Sequence, residues 1–254
     1  MENFTTAQIF SRSRLLLGEE AMDRLAQASV CLCGLGGVGS YAAEALARSG
    51  IGALTLIDFD QVTVSNMNRQ LCALTNTIGQ NKTETMAARI ELINPCCRLT
   101  IRTESITSAH IASIMEGYDY VVDAIDDVAA KTAIICYAHQ NNIAVISAMG
   151  AAKRVRPELL RLADIADTHC CPLARIMRKE LKKLGIVTGV NVVYSTEKPL
   201  STPSDADTEI GVKQSLGSVV FVPGAMGLII AGKVIRDVAG IEEADGFIRT
   251  SGYH

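Results

Sequence analysis

The chain has 254 residues, a length that suits one α/β domain with a substantial core, and we expect residues 1–254 to form a single domain. Its formal net charge of -3 excludes an overall positive field for a polyanion, and its aromatic share of 4% leaves few platforms for stacked single-stranded bases. The first residues lack the basic segment and apolar core of a secretory signal, and the cysteines suggest no disulfide framework. We therefore expect a cytoplasmic protein without membrane contact.

The first predicted unit is a strand, a glycine-rich turn and a helix. An apolar run over residues 28–32 leads into Gly34, Gly36 and Gly39, and a helix-like segment follows from Ser40. In such a turn the first glycine permits a tight bend, the second lets backbone amides approach a phosphate, and the third lets the helix pack on the strand. The amide-rich start of the helix attracts an anion. This arrangement predicts a nucleotide site at Gly34, Gly36, Gly37 and Gly39.

A second strand is predicted over Ala53–Ile57, and it ends on Asp58. An acid about twenty residues after the glycines is placed to accept hydrogen bonds from ribose hydroxyls. The polar segment that follows contains Asp60, Asn66 and Arg69, and Lys82 opens a helix predicted over 83–92.

Cations beside a phosphate site would hold a triphosphate and stabilise charge that develops in phosphoryl or nucleotidyl transfer. Hydride transfer does not need them, so Arg69 and Lys82 count against a nucleotide-binding oxidoreductase. Each of these two residues, taken singly, remains open to interpretation as an ordinary surface charge.

A third strand, predicted over 118–123, runs into the acids Asp123, Asp126 and Asp127. Carboxylates at the carboxyl end of a parallel strand project into the crevice where such sheets bind ligands. Mg²⁺ takes one or two carboxylates together with substrate phosphates, so Asp126 is the predicted magnesium ligand. Asp123 or Asp127 could instead cap the helix predicted over 128–141, and capping is the favoured role for Asp127.

The eight cysteines form no Cys-x-x-Cys pair, and adjacent cysteines have poor geometry for a tetrahedral zinc site. We therefore expect no zinc and interpret most of the thiols as small buried hydrophobic groups. A thioester role for Cys72 or Cys171 stays open, although no local signature supports it.

In unbroken order, residues 12–150 resemble the adenylating superfamily of ubiquitin-activating-type enzymes. The resemblance rests on six motifs: Gly34-x-Gly36-Gly37-Val38-Gly39-Ser40, Leu56-Ile57-Asp58-x-Asp60, Asn66-x-x-Arg69-Gln70, Gly79-x-x-Lys82, Ile93-Asn94-Pro95 and Asp123-x-x-Asp126. It implies ATP binding, attack of a substrate carboxylate on the α-phosphate and release of pyrophosphate. By this resemblance Asp58 holds the ribose, Asn66, Arg69 and Lys82 contact phosphates, and Asp126 binds magnesium.

The segment Ser11 to Gly18 is similar to that superfamily's Arg-x-x-Leu-Leu segment. In the superfamily, this arginine reaches the phosphates of a partner subunit. The resemblance therefore implies a homodimer with Arg14 as the candidate residue, and Arg12 is the competing choice.

The later part of the chain resembles the tRNA threonylcarbamoyladenosine dehydratases. The matching segments are Asp167-Thr-His-Cys-Cys-Pro-Leu173, Val192-Val-Tyr-Ser-Thr-Glu197 and Gly217-Ser-x-x-Phe-x-Pro-Gly224. This family adenylates the threonyl carboxylate of N6-threonylcarbamoyladenosine at position 37 of tRNA, and the ureido group then closes a ring as AMP leaves. No catalytic cysteine is required. The resemblance also implies tRNA as a partner, and a cysteine desulfurase system as a further one in some cases.

The alternative within the superfamily is an adenylyltransferase that activates the carboxyl terminus of a sulfur-carrier or ubiquitin-like protein. The absent zinc cysteines count against it.

The expected fold is α/β: a Rossmann-like, doubly wound, mostly parallel sheet with an antiparallel carboxyl-terminal extension. Residues 12–150 would form the ATP-binding half and 151–254 the substrate side. A mobile loop is predicted near 198–217, and a buried strand and turn would precede a helix over 225–238.

Residues 151–190 contain nine basic and four acidic side chains. A helix predicted from Pro172 to Leu184 would place five basic residues largely along one side. That side is either a solvated face or a surface for tRNA phosphates. The five residues are Arg175, Arg178, Lys179, Lys182 and Lys183.

Overall fold

The computed structural model describes residues 5–201 and 216–241. Within these ranges a seven-stranded sheet has the order β3-β2-β1-β4-β5-β7-β6. Its strands are β1 Ser29–Cys33, β2 Ala53–Ile57, β3 Arg98–Arg102, β4 Tyr120–Asp123, β5 Ala144–Ala148, β6 Leu160–Asp164 and β7 Asn191–Ser195. Neighbouring strands are parallel except for the edge pair β6 and β7, which is antiparallel. The predicted mostly parallel sheet with an antiparallel addition is confirmed.

The helices of the described residues are α1 Thr6–Ile9, α2 Ser11–Leu17, α3 Glu19–Gln27, α4 Gly39–Arg48, α5 Lys82–Ile93, α6 Ile111–Met115, α7 Val128–Gln140, α8 Pro172–Lys183 and α9 Phe221–Ala239. The helix predicted over 83–92 is one residue shorter at each end than α5, and those predicted over 128–141 and 172–184 each extend one residue beyond the end of the observed helix. None of the helices in the described residues is both long enough and apolar enough to cross a bilayer.

The strand predicted just before the last helix is wrong, because α9 already begins at Phe221. Pro223 lies in the first turn of α9, where its missing N–H would have no partner within the helix. The apolar residues before it therefore enter the helix. The loop predicted near 198–217 falls mostly on residues 202–215, which lie outside the described residues.

Helices cover both faces of the sheet. Successive residues of β1 point to opposite sides: Val30 and Leu32 belong to a core shared with α3, α4, α5 and α9, whereas Cys31 and Cys33 belong to a core shared with α6 and α7. Because both faces are buried, the central strands are continuous apolar runs. The doubly wound prediction is confirmed.

The last helix of the described residues, α9, packs closely on α4, the helix that follows the glycine turn. A Cβ atom added to Gly227 would overlap the carbonyl oxygen of Val38, and one added to Gly224 would lie 3.3 Å from the ring of Tyr41. The two glycines therefore permit a close approach between the helices. This contact joins the late part of the chain to the predicted nucleotide site.

Candidate active site

The turn between β1 and α4 presents a row of backbone donors. Among the described residues, the N–H groups of Gly36, Gly37 and Val38 donate no hydrogen bond to another group of the protein. All three residues are half-buried and directly precede a ten-residue helix. Free amides and the positive end of a helix dipole together favour an anion at this position.

Two of the glycines in this turn are required by close contacts. Gly34 has a φ of +90°, and a Cβ there would lie 2.7 Å from the carbonyl oxygen of Ala124. A Cβ on Gly39 would overlap the carbonyl oxygen of Gly34. A Cβ on Gly36, by contrast, would have only the Gln70 side chain within 4 Å, at 3.9 Å, so the outer side of Gly36 is open. The environments of Gly34 and Gly39 match the tight bend and the close packing predicted for them, and the role of Gly36 beside a phosphate stays a prediction.

Replacing Gly39 by alanine is expected to push α4 away from β1, since the new methyl group would occupy the position of a backbone oxygen. We expect a loss of about 1–3 kcal/mol in the free energy of unfolding, as for an overpacked core, and a large loss of nucleotide affinity. Urea denaturation and nucleotide titration measure the two effects. A Gly36→Ala variant should keep near-normal stability, and equal destabilisation by both would contradict this account.

The acids after β2 connect the glycine turn to Lys82. The Asp58 carboxylate accepts hydrogen bonds from the amides of Leu35, at 2.6 Å, and Asp60, at 2.9 Å. The Asp60 carboxylate in turn pairs with the Lys82 ammonium group at 2.6 Å. The Lys82 side chain is 6% exposed and that of Asp60 is 50% exposed, so the buried cation is held beside an acid that solvent can reach. The structure thus brings Asp58, Asp60 and Lys82 together.

Arg69 lies over the glycine turn. Its Cγ is 3.4 Å from the Cβ position of Gly37, and its guanidinium donates to the Ser65 carbonyl at 2.8 Å. Asn66 is buried, and its side chain accepts a hydrogen bond from the Thr63 amide at 3.1 Å, which closes the short 3-10 turn Val64–Asn66. The Asn66 carbonyl then accepts from the Arg69 amide at 3.1 Å. Asn66 therefore shapes the turn that positions Arg69.

Asp126 lies at the end of the turn after β4. The contact between Gly34 and Ala124 places this turn directly against the glycine turn. Asp126 is exposed and forms no hydrogen bond or ion pair within the described residues. Its neighbour Asp127 caps α7 by accepting a hydrogen bond from the Ala130 amide at 2.8 Å, as the favoured interpretation predicted.

Asp123 is not a helix cap. Its carboxylate is fully buried and pairs with the equally buried Lys131 ammonium at 2.8 Å. Lys131 also donates to the Ile125 carbonyl at 3.1 Å, and Asp123 accepts from the Ile125 amide at 3.2 Å. The pair of Asp123 and Lys131 therefore holds both the N–H and the carbonyl of Ile125, the residue just before Asp126. Lys131 is not among the residues predicted from the sequence, although a single cation in the otherwise uncharged stretch 128–138 is a signal for a buried partner.

Arg14 lies on α2 and pairs with Glu19 of its own chain. Within the described part of the chain, its side chain forms no hydrogen bond or ion pair with any of the other candidate residues. Its predicted role at a partner subunit's phosphates stays a prediction.

The cysteines considered for thioester chemistry are buried. Cys72 is fully buried, and burial raises the pKa of its thiol to about 11 although the nearby Lys82 charge lowers it. Cys171 is 3% exposed. Since the thiolate is the reactive form, Cys72 is poorly suited to nucleophilic attack at neutral pH.

This arrangement predicts selective alkylation of the native protein. At pH 7, iodoacetamide should modify the exposed Cys96 and Cys170, whereas Cys72 and Cys171 should resist. Because the pKa of Cys72 is raised, its labelling should increase only as the pH approaches 11. Peptide mass spectrometry measures the sites. Rapid modification of Cys72 at neutral pH would show that its thiol is accessible and activated.

The residues at this edge of the sheet suit a nucleotide with its metal ion. The open amides and Arg69 fit phosphate oxygens, and Asp58 lies beside them with a carboxylate. The described residues contain no group of three or more His, Cys, Asp or Glu side chains that could hold a metal. A single exposed carboxylate such as Asp126 fits Mg²⁺, which commonly completes its coordination with substrate phosphates and water.

Comparison with known proteins decides the family. A sequence model described as the ThiF family matches residues 10–253. This chain belongs to the ThiF family. Within it, the tRNA threonylcarbamoyladenosine dehydratase of Bacillus subtilis (strain 168) is 40% identical over 238 residues, which are 90% of this chain and 94% of that protein. The Escherichia coli (strain K12) protein of the same name is 45% identical over 206 residues, covering 78% of this chain and 77% of the relative.

Solved structures support the same family for this chain. A crystal structure of the Escherichia coli tRNA N6-threonylcarbamoyladenosine dehydratase in complex with ATP aligns with a TM-score of 0.84 and 39% identity. The alignment covers 92% of this chain and 95% of the other. The resemblance to the dehydratases and the adenylating-enzyme fold, both predicted from sequence motifs, are confirmed.

Proposed function

We propose that this enzyme catalyses the ATP-dependent cyclisation of N6-threonylcarbamoyladenosine at position 37 of tRNA. A threonyl carboxylate oxygen attacks the α-phosphorus of ATP and pyrophosphate leaves. The ureido nitrogen then attacks the activated carbonyl, loses its proton and displaces AMP, so that one water is lost overall. The observation that supports this most is the set of three free amides at the start of α4, in a chain similar to dehydratases over nearly its whole length.

Each residue in the site has a distinct proposed role. The amides of Gly36, Gly37 and Val38 bind phosphate oxygens, and Arg69 and Lys82 stabilise charge that develops on them during nucleotidyl transfer. Asp58 accepts hydrogen bonds from the ribose with its remaining lone pairs. Asp60 orients the Lys82 ammonium group through their 2.6 Å ion pair.

Asp126 is the proposed ligand for Mg²⁺, and the buried pair of Asp123 and Lys131 fixes the turn from which it projects. When bound, Mg²⁺ neutralises phosphate charge during transfer. That the enzyme needs no zinc stays a prediction.

The assembly is proposed on the resemblance. A homodimer would bring Arg14 of one subunit to the phosphates of the other, and the resemblance implies a cysteine desulfurase system as a further partner. We propose a cytoplasmic location and one adenylating domain, with the ATP-binding half in residues 12–150.

Nucleoside analysis of tRNA tests the substrate. In a strain that lacks the gene, mass spectrometry should find N6-threonylcarbamoyladenosine in place of its cyclised, dehydrated form, and the plasmid-borne gene should restore the latter. Persistence of the dehydrated nucleoside without the gene would reject this substrate. Pyrophosphate release driven by a sulfur-carrier protein instead of tRNA would support the alternative adenylyltransferase.

A further inference from the structure

Helix α8 separates an apolar face from a basic one. Its buried residues are Ala174, Met177 and Leu181, which pack in a core with β7. Arg175, Lys179 and Lys182 are all exposed, and their spacing of four and three residues puts them along one side of the helix. We call these three residues the basic row.

The basic row is narrower than the face predicted from the sequence. Arg178 turns back toward its own chain and donates to the carbonyl of Thr168 at 2.8 Å. Lys183 is neutralised by an ion pair with Glu180 at 2.6 Å. These two side chains already have partners.

The three residues of the basic row have no hydrogen bond or ion pair from their side chains anywhere in the described residues. Several exposed cations elsewhere in the described residues are paired with an acid. Examples are the pairs Arg24 with Glu20, Arg48 with Glu44, and Arg156 with Glu158.

Like charges three and four residues apart on a helix repel one another by about 0.2–0.5 kcal/mol per pair. The basic row contains two such neighbouring pairs without an acid to offset them. An anion lying along the row would remove this repulsion, so the charge pattern suits a polyanionic partner.

The basic row also begins near the crevice predicted at the carboxyl ends of the parallel strands. Cys171, the residue before α8, has its sulfur 3.6 Å from the Cβ position of Gly150, which follows β5 at the carboxyl end of the sheet. Strand β5 is the parallel neighbour of β4, whose end leads to Asp126. From there the row extends along α8 for about 10 Å, long enough to contact more than one backbone phosphate.

We propose that the basic row binds backbone phosphates of the tRNA substrate next to the nucleotide that enters the crevice. The inference rests on the proposed function and adds the surface that holds the RNA. Phosphate contacts supply affinity and orientation without reading sequence. Such contacts do not require an overall positive charge on the protein, because the cations that attract the phosphates are gathered on α8.

The test compares a triple variant, Arg175→Gln with Lys179→Gln and Lys182→Gln, with the intact protein in binding of full-length tRNA at several salt concentrations. Each lost phosphate contact should reduce the slope of log K against log salt by about 0.7–0.9 in magnitude. We expect a reduction of about 2–3 in slope and a loss of roughly tenfold to a hundredfold in tRNA affinity near 0.15 M salt. ATP affinity should not change.

Single variants provide a matched control. Arg98 is exposed on β3, at the opposite edge of the sheet, and its side chain has no partner within the described residues. Lys179→Gln should weaken tRNA binding by several-fold, whereas Arg98→Gln should leave it unchanged. These single changes also keep the test valid if the triple variant is unstable.

An unchanged salt slope in the basic-row variants, with tRNA still bound by the intact protein, would overturn the surface assignment alone. An equal effect of Arg98→Gln would also overturn it, because the loss would then reflect net charge. Failure of the intact protein to bind or cyclise tRNA would instead overturn the proposed function.

Discussion

Replacing Lys82 by alanine is expected to reduce adenylation by at least about a hundredfold while leaving the protein folded. The loss follows from removal of a buried cation that would stabilise charge on the phosphates in the transition state. The fold should survive because the acid left behind, Asp60, is 50% exposed and can be hydrated by solvent. Formation of pyrophosphate from ATP in the presence of modified tRNA measures the chemical step, and circular dichroism measures the fold.

Asp126→Ala should cause a similar loss, and higher magnesium concentrations should restore part of it. The matched control is the next residue, Asp127, whose carboxylate caps α7. Asp127→Ala should lower the free energy of unfolding by about 1 kcal/mol yet keep most of the turnover. Near-normal activity in Lys82→Ala or Asp126→Ala would reject the site assignment.

Replacing Lys131 by methionine is expected to destabilise the protein by about 3–5 kcal/mol, because it leaves the fully buried Asp123 carboxylate without its cation. The turn that precedes Asp126 should also loosen, since Lys131 donates to the carbonyl of Ile125. Urea denaturation measures the stability. The magnesium concentration for half-maximal activity measures how far the loosened turn weakens magnesium binding at Asp126.

A double variant separates the charge from the packing. Asp123→Asn combined with Lys131→Met removes both charges, so it should recover part of the stability lost in the single variant. The surface control is Lys183→Met, which breaks an exposed ion pair and should cost no more than about 1 kcal/mol. If Lys131→Met proved as mild as Lys183→Met, the ion pair would contribute little to the native state.

Local sequence patterns predicted the glycine turn between β1 and α4, and the strands on either side of it, closely. Glycine spacing in the turn before α4 and the acid after β2 are short-range features whose geometry depends on few other residues. The structure accordingly shows that Gly34 and Gly39 are required by backbone contacts and that Asp58 lies beside the turn.

The errors arose where distant residues decide the local structure. The apolar residues before Pro223 suggested a strand, but packing of Gly224 and Gly227 on α4 favours a helix from Phe221 onward. Likewise, counting charges on α8 could not reveal that Arg178 would turn toward Thr168. Both outcomes depend on tertiary contacts that a single sequence does not display.

The fate of the labelled α-phosphate of ATP tests the central claim most directly. Purified protein given modified tRNA, Mg²⁺ and ATP labelled at the α-phosphorus should release labelled AMP and an equal amount of pyrophosphate for each nucleoside cyclised. Formation of ADP and inorganic phosphate, or cyclisation without AMP release, would contradict adenylation at this site.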